Sequence, residues 1–450
     1  MLSLIQRLSK IDCSFFKLVT PISRLSSSTK PTPKSSDTSL SNPFDDVYAC
    51  GVRSGELARD PLALARFLAS RVVAYGRHFL VIDKPANLSV YGHALSASPF
   101  ISGATPQSPP LSVYECLPHL RDLLSELSPF SLNNSSDTSH SISVLVAEKR
   151  KKVSKRPFSD AWTPPSEIFI VEPLPAAYSG LILLSTSKSY ADFARSFYRD
   201  ATKNTFPGSM YQTFHVACWG LPSRNHVENE RFPIAVHKAS ESISVAYRPT
   251  DDKITSTASK KGALLFKHIG HRMLSGGSSQ DSGSIIELVC NSCYAGLPEV
   301  YLLHEGCEVI GEDLQASRLV KNAGIPMVLP PAMAKLGAPI PTEQLKIFGV
   351  KNLPRAAIPT HIHRSQLLLP IPLSTSFKAE VFSRRHQSSL GRIFSTHENL
   401  PILSWKTYPA GEEKNVCFLS AISSSLPSYF VQTLEKLGLS TEYPLKTLTE

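Results

Sequence analysis

The segment from Phe169 to Lys188, FIVEPLPAAYSGLILLSTSK, limits what this 450-residue chain can fold into more than any other. Its aliphatic run, Leu181 to Leu184, is short enough for a strand that is buried on both faces. Phe169 opens an apolar strand before it, and Pro173, Pro175, Ala176 and Ala177 break the two apart with a turn. Ser179 and Gly180 form the pivot between turn and strand. A chain reversal at a sheet edge accounts for this pattern without invoking any function.

Composition narrows the classes open to the rest of the chain. With 42% hydrophobic residues, 450 residues can bury at least one large core and carry more than one lobe. The longest aliphatic runs, Leu181–Leu184 and Leu367–Ile371, fall far below the roughly 20 residues of a membrane span. A net charge of +10 favours an acidic partner, of which nucleic acid is the commonest, although an organellar address raises the same total. Eight scattered cysteines are too sparse for a disulfide framework and read as reduced thiols. Before residue 36 the chain carries Arg7, Lys10, Lys17, Arg24, Lys30 and Lys34 against one acid, Asp12, with serines throughout. Leu2, Leu4, Ile5 and Leu8 line one helical face, so residues 1–45 read as a mitochondrial transit peptide, with a disordered basic tail as the plainer alternative. The first reading places the protein in the mitochondrial matrix.

Periodicity and punctuation predict the elements that follow. Leu62 to Ser70 is a helix; Val72–Tyr75 and Phe79–Ile82 are strands about Gly76–Arg77; Asp83-Lys84-Pro85 ends the second strand. Residues 96–110 and 133–165 are Ser/Pro-rich surface insertions. The second holds Lys149, Arg150, Lys151 and Lys152, with Lys155 and Arg156, a cluster able to neutralise phosphates or simply to solvate a loop. Ser187 is a fitting cap for a helix to Asp200 with Tyr190, Phe193 and Phe197 on its buried face. Tyr211–Trp219 is a strand, and Ala263–Leu274 with Ser284–Cys290 form a hairpin around a Gly/Ser-rich loop. A proline-rich connection, 325–341, leads to the His361-Ile-His363-Arg364 strand. A short helix over 426–438 closes the chain, with Phe430, Leu434 and Leu437 on one face.

Cys290-x-x-Cys293 and His304-x-x-Cys307 have the ligand types and spacing of a structural zinc site. Against that, Cys290 closes an apolar strand, and Val300, Leu302 and Leu303 continue a core-like segment between the pairs. No metal or cofactor is expected.

Taken in order, several of these pieces resemble the RluA-type pseudouridine synthases. Lys84, Pro85, Leu88 and Val90 match the family's strand of the form hLLVxNKPxGLxV, with Asn87 in place of the usual Gly. Leu174, Ser179 and Gly180 match His-Arg-Leu-Asp-x-x-Thr-Ser-Gly. Phe214 falls where the family has a Tyr that packs on the target base, and His363 on the His of a later strand. His304-Glu305-Gly306 and Val309-Ile310-Gly311-Glu312 are similar to His-Leu-Gly and Val-Val-Gly-Asp. The resemblance covers 72–373 with gaps, plus the tail helix.

What the resemblance implies is an α+β fold, the pseudouridine synthase fold, with a mixed, mostly antiparallel central sheet, a cleft across it and flanking helices. It implies a synthase-like domain over 62–373 and an extension over 374–450. Members isomerise a uridine in RNA without metal or cofactor, so the RNA-facing residues would be Lys84, Tyr178, Ser179, Gly180 and Phe214, joined by Lys149–Lys152. The departures fall on the chemistry. Glu172 stands at the family's His, Pro173 at its Arg, Pro175 at the nucleophilic Asp and Tyr178 at its Thr. Tyr294 stands at the Arg that pairs with the nucleophile and Glu299 at a second Arg. Losing both members of an ion pair leaves no uncompensated charge. The expectation is a mitochondrial RNA-binding protein without isomerase activity, in a mitochondrial ribonucleoprotein. The alternative is an active synthase on mitochondrial messenger or ribosomal RNA in which Glu172 replaces the nucleophile.

Overall fold

A computed structural model describes residues 60–75, 78–91, 111–126, 167–203, 209–238, 243–250, 254, 264–278, 282–349, 355, 358–372, 403–406, 413–423 and 425–440. The expected leader, both surface insertions with Lys149, Arg150, Lys151 and Lys152, and the Gly76–Arg77 turn lie outside these residues.

In chain order the helices and strands are α1 (Pro61–Ala69), β1 (Val72–Tyr75), β2 (Phe79–Lys84), α2 (Val113–Glu126), β3 (Phe169–Glu172), β4 (Ser179–Ser185), α3 (Lys188–Ala201), β5 (Gln212–Trp219), β6 (His226–Lys238) and β7 (Ser244–Tyr247). Then come β8 (Leu264–Gly276), β9 (Gly283–Cys290), α4 (Leu297–His304), β10 (Glu308–Val309), β11 (Leu319–Asn322), β12 (Ile325–Val328), α5 (Thr342–Phe348), β13 (Ile362–Pro372), β14 (Leu403–Lys406), β15 (Glu413–Ile422) and α6 (Ser428–Lys436). Together they form an α+β fold around one large sheet of order β1-β2-β4-β13-β5-β9-β8-β6-β7, with β3, β10, β14 and β15 paired off that path. Its pairings are antiparallel except β4 with β13.

The aliphatic run of β4 is the buried strand its composition predicts, since Leu181, Ile182, Leu183 and Leu184 are all 0% exposed. Alternation then sends its side chains to two different cores. Ile182 and Leu184 join Ile82, Phe214, Val216, Ile286 and residues of α1, α2 and α4 on one face. Leu181 and Leu183 join Val81, Leu367, Leu369 and the Tyr190, Phe197 and Tyr198 face of α3 on the other. On this second face, further along β5 and β9, Trp219 and Ile285 pack with Phe348 of α5 and Phe430 and Leu434 of α6.

Several local expectations need correction. Ser187 precedes α3 but makes no cap bond; its Oγ turns instead to Ser189 Oγ at 2.9 Å. The proline-rich connection opens with β12, which pairs with β11 just before it in a ribbon whose turn uses Ala323 and Gly324 at positive φ. Helix α2 holds Pro118 within it, a residue that removes a helical hydrogen bond. Burial of Val113, Cys116, Leu117 and Leu120 on one stripe outweighs that loss.

The two halves of the sheet meet through very little backbone. Strand β4 pairs with β13 only at Ser179↔His363 and Arg364↔Gly180. Past these two pairs the strands part: β4 takes β3 along the same edge, and β13 takes β15. Gly180 sits at φ +116, and a Cβ there would overlap the backbone of Arg364. Only glycine combines that dihedral with that approach. Gly180→Ala is therefore expected to destabilise the protein by about 3 kcal/mol or more, measured as a lowered urea midpoint. An unchanged midpoint would show that the junction tolerates a side chain.

Candidate active site

The turn between β3 and β4 is held from beneath by one buried ammonium. Lys84, 0% exposed at the end of β2, donates to the carbonyls of Ala176 (3.1 Å) and Tyr178 (2.6 Å) in the turn and of Pro85 (2.9 Å) and Leu88 (2.9 Å) in its own loop. Burial pushes the Lys84 pKa well below its usual value, with Arg364 adding to the push. The carbonyls are its compensation, because an ammonium has only donors to offer. Asn87, at φ 62, makes the bend that brings Leu88 back to the lysine. Pro175 opens the turn, accepting from Tyr178 N at 3.2 Å. Its ring supplies no acid, base or nucleophile.

Tyr178 ends the turn with its side chain buried. Its ring meets Phe214 edge-on at 6.1 Å between centroids, and its hydroxyl donates to the Glu299 carboxylate at the start of α4. Tyr178 is 1% exposed and Phe214 0%. Burial raises Glu299 to about 7 even though the Tyr178 hydroxyl acts to lower it. Burial, then Glu299, lifts Tyr178 well above the ordinary phenol range, so it stays a donor. The sequence reading pairs the replacements at Pro175 and Tyr294; in the structure the replaced positions that touch are Tyr178 and Glu299. Tyr294 itself turns outward, 56% exposed, on a short 3-10 turn.

Glu172 belongs to a second buried group. Its carboxylate lies 3.6 Å from Arg364 and accepts from the Tyr211 hydroxyl at 3.2 Å. Burial lifts it to about 7, while Arg364 and then Tyr211 pull it back. Arg364 is 0% exposed and also donates to the carbonyls of Leu181 and Glu172 and to Gln212 Oε1. Sequence reasoning missed Arg364, Tyr211 and Gln212. Polar residues inside apolar strands were the available signal.

On the opposite face, partners in register form a polar row across five strands: Ser179, His363, His215, Glu287 and Arg272. Ser179 Oγ lies 3.0 Å from His363 Nδ1 and 3.1 Å from the Tyr429 hydroxyl of α6. Burial depresses His215 and His363 to about 3, so both imidazoles are neutral. Ser179 and His363 are both 0% exposed, so their contact ties β4 to β13 and to the C-terminal helix.

Lys84, Tyr178, Ser179, Gly180 and Phe214, the residues expected to face RNA, are all buried, and Lys84 and Tyr178 spend their polar atoms on the protein. The zinc pattern is dispersed. Cys307 shares a thiol hydrogen bond with Cys218, and His304 packs its ring on Phe232. Among the described residues no three His, Cys, Asp or Glu side chains converge as metal ligands, and no helix is long and apolar enough to cross a membrane.

The chain is similar to two solved human structures. RNA pseudouridylate synthase domain containing 4 shares 15% identity at a TM-score of 0.45, over 84% of this chain and 97% of that one. RNA pseudouridylate synthase domain containing 1 shares 11% at 0.34, over 66% and 76%. No protein-family profile matches the sequence, and no curated protein does.

The Tyr178–Glu299 contact generates a pH-dependent outcome. Glu299 rises from 4.5 to about 7 on folding, so the stability it contributes is complete below the unfolded value and is lost as pH rises through the folded one. Glu299→Gln keeps an acceptor for Tyr178 and cannot ionise. Its melting temperature relative to wild type should climb between about pH 4.5 and 7 and then level off, a gain on the order of 1–3 kcal/mol. A pH-independent difference would mean that folding leaves the Glu299 carboxyl at its unfolded pKa.

Proposed function

We propose that this chain is an RNA-binding member of the pseudouridine synthase family, of the RluA type, that has lost isomerase activity. One observation carries the reading: the turn at which the family places its nucleophile offers Pro175, and beside it the buried Tyr178 hydroxyl is bound to Glu299. Breaking a glycosidic bond by covalent catalysis needs a lone pair on a positioned side chain. A target nucleotide must also leave its stack and enter a pocket. The retained Lys84-Pro85, Ser179-Gly180 and His304 to Gly311 pieces support descent from the family, here kept for holding the sheet together. The replaced Asp, the His-x-His-Arg strand and the Leu-Pro-x-Tyr-Phe ending most resemble the mitochondrial RNA pseudouridylate synthase domain-containing protein numbered three. The basic leader supports a matrix location, and the net charge of +10 supports RNA as the partner, in a mitochondrial ribonucleoprotein.

A second reading, an active synthase on mitochondrial messenger or ribosomal RNA, has one observation in its favour. Glu172 keeps an arginine partner, Arg364, at 3.6 Å. Against it, that arginine also donates to backbone carbonyls on β3 and β4 and holds the carboxylate inside the sheet.

Purified protein should bind RNA, with affinity falling as salt is added, and should leave uridine unconverted in carbodiimide-blocked primer extension on mitochondrial transcripts. Pro175→Asp alone should stay inactive, because a carboxylate introduced there lacks the arginine that would hold it ionised. Stoichiometric conversion by wild type would overturn the reading, and its loss in Glu172→Ala would assign the nucleophile to Glu172. In fractionated cells the mature protein should reside in the matrix without its leader; a full-length cytosolic chain would refute that location.

A further inference from the structure

The β11–β12 ribbon is not part of the central sheet, and it turns one apolar face to solvent. Its two-residue turn fixes the register at Leu319↔Val328, Val320↔Met327, Lys321↔Pro326 and Asn322↔Ile325, so alternation sorts the side chains into two faces. Leu319, Lys321, Pro326 and Val328 form the inner face. Pro326 lies over Gly306, where an added Cβ would meet its ring at 3.0 Å, and Glu308 of β10 feels the Lys321 charge. Val320, Asn322, Ile325 and Met327 form the outer face, and its three apolar members are 37%, 66% and 49% exposed. The root of the ribbon is firmly held. Arg318, 2% exposed, donates to Leu329 O at 3.0 Å and to Ala246 O of β7 at 3.1 Å, and the Leu329 N–H returns to Arg318 O at 2.8 Å. A two-stranded ribbon is marginal by itself, and an apolar sheet face is normally covered by a second layer.

We propose that the outer face of this ribbon docks an acidic amphipathic helix of a protein partner, with the helix's apolar stripe on Val320, Ile325 and Met327. Charge selects the partner. Between Asp313 and Glu343 the chain contains no acid, while Arg318, Lys321 and Lys335 fall within that stretch. Lys321 and Lys335 are exposed, and the Lys335 backbone N–H reaches Ser317 Oγ at 2.9 Å, which sets it at the ribbon's root. The acids just before the stretch are engaged: Glu308 binds Arg355, Glu312 accepts from the N–H groups of Leu314 and Ala316, and Asp313 accepts from Gly337. A helix with carboxylates beside its apolar stripe matches this surface, and Met327 brings a side chain that repacks against varied partners. RNA fits less well, because the same stretch has no aromatic residue on which a base could stack. An anionic membrane is recognised by clusters of about four to eight basic residues, more than the ribbon carries.

The test uses the full chain and fluorescence anisotropy with a labelled model helix of about 18 residues, five turns, that carries a leucine stripe flanked by glutamates. A second peptide has lysine in place of every glutamate. The acidic peptide should bind and the basic one should not. Ile325→Asp and Met327→Asp should each weaken binding of the acidic peptide at least about 10-fold. Lys335→Glu should weaken it several-fold at low salt and less at high salt. Melting temperatures of all three variants should match wild type, because the substituted side chains are exposed. Absence of binding to the acidic peptide, or equal binding of both peptides, would overturn the proposal. A lowered melting temperature in Ile325→Asp would also overturn it, by showing that this chain covers the face itself. The same variants are tried on a mixed-sequence RNA strand, on phosphatidylcholine–phosphatidylserine vesicles and in sedimentation of the chain alone. Loss of RNA or vesicle binding, or of a dimer, in Ile325→Asp would give the face to that occupant instead. The outcome is separate from the RNA reading, since the ribbon variants should leave RNA affinity unchanged.

Discussion

Two backbone pairs, Ser179↔His363 and Arg364↔Gly180, join the halves of the central sheet, and most of the site follows from that junction. A contact so short cannot hold two sheet halves by its own hydrogen bonds, each worth about 1 kcal/mol net. It is reinforced from every side. Arg364 reaches across to the carbonyls of Leu181 and Glu172. Lys84 ties the preceding turn to the β2 loop, and Tyr429 of α6 meets Ser179 from the opposite face. Gly180 is the position that lets these backbones approach at all. Arginine and lysine in this setting act as multi-pronged backbone donors, and their burial is tolerable because nearly every prong is used.

The same reinforcement fixes the side chains beside the turn. A turn pinned by Lys84 places Tyr178 inward, and the tyrosine needs an acceptor for its hydroxyl once buried. Glu299 supplies it. An arginine at position 299 would face a donor with further donors, whereas the Glu299 carboxyl, its pKa raised by burial, accepts from the tyrosine hydroxyl. Tyr178 and Glu299 therefore form one interdependent buried pair.

Much of this fold was legible from one-dimensional pattern. The aliphatic run of β4, the Ser-Gly pivot, the Tyr211–Trp219 strand and the hairpin around residues 275–283 all follow from periodicity and turn residues, which are local properties of a chain. The α2 helix and the β11–β12 ribbon were not. Pro118 and the prolines after Ile325 carry local signals against regular structure, and only packing and strand pairing override them.

For the site, the sequence by itself determined which functional groups are on hand: a proline at 175, a tyrosine at 294 and a carboxyl at 299, statements of residue identity that no fold can alter. Only the tertiary structure decided where the remaining groups point. Lys84 and Phe214 read as plausible RNA contacts until burial gave both to the interior. Tyr178 and Glu299 are 121 positions apart and meet where the turn before β4 comes against the first turn of α4. Arg364 finds Glu172 across 192 residues. Residue type limits the chemistry a side chain can perform, but burial and long-range pairing set its protonation, its partners and its access to a ligand, and these arise only when distant strands share a face.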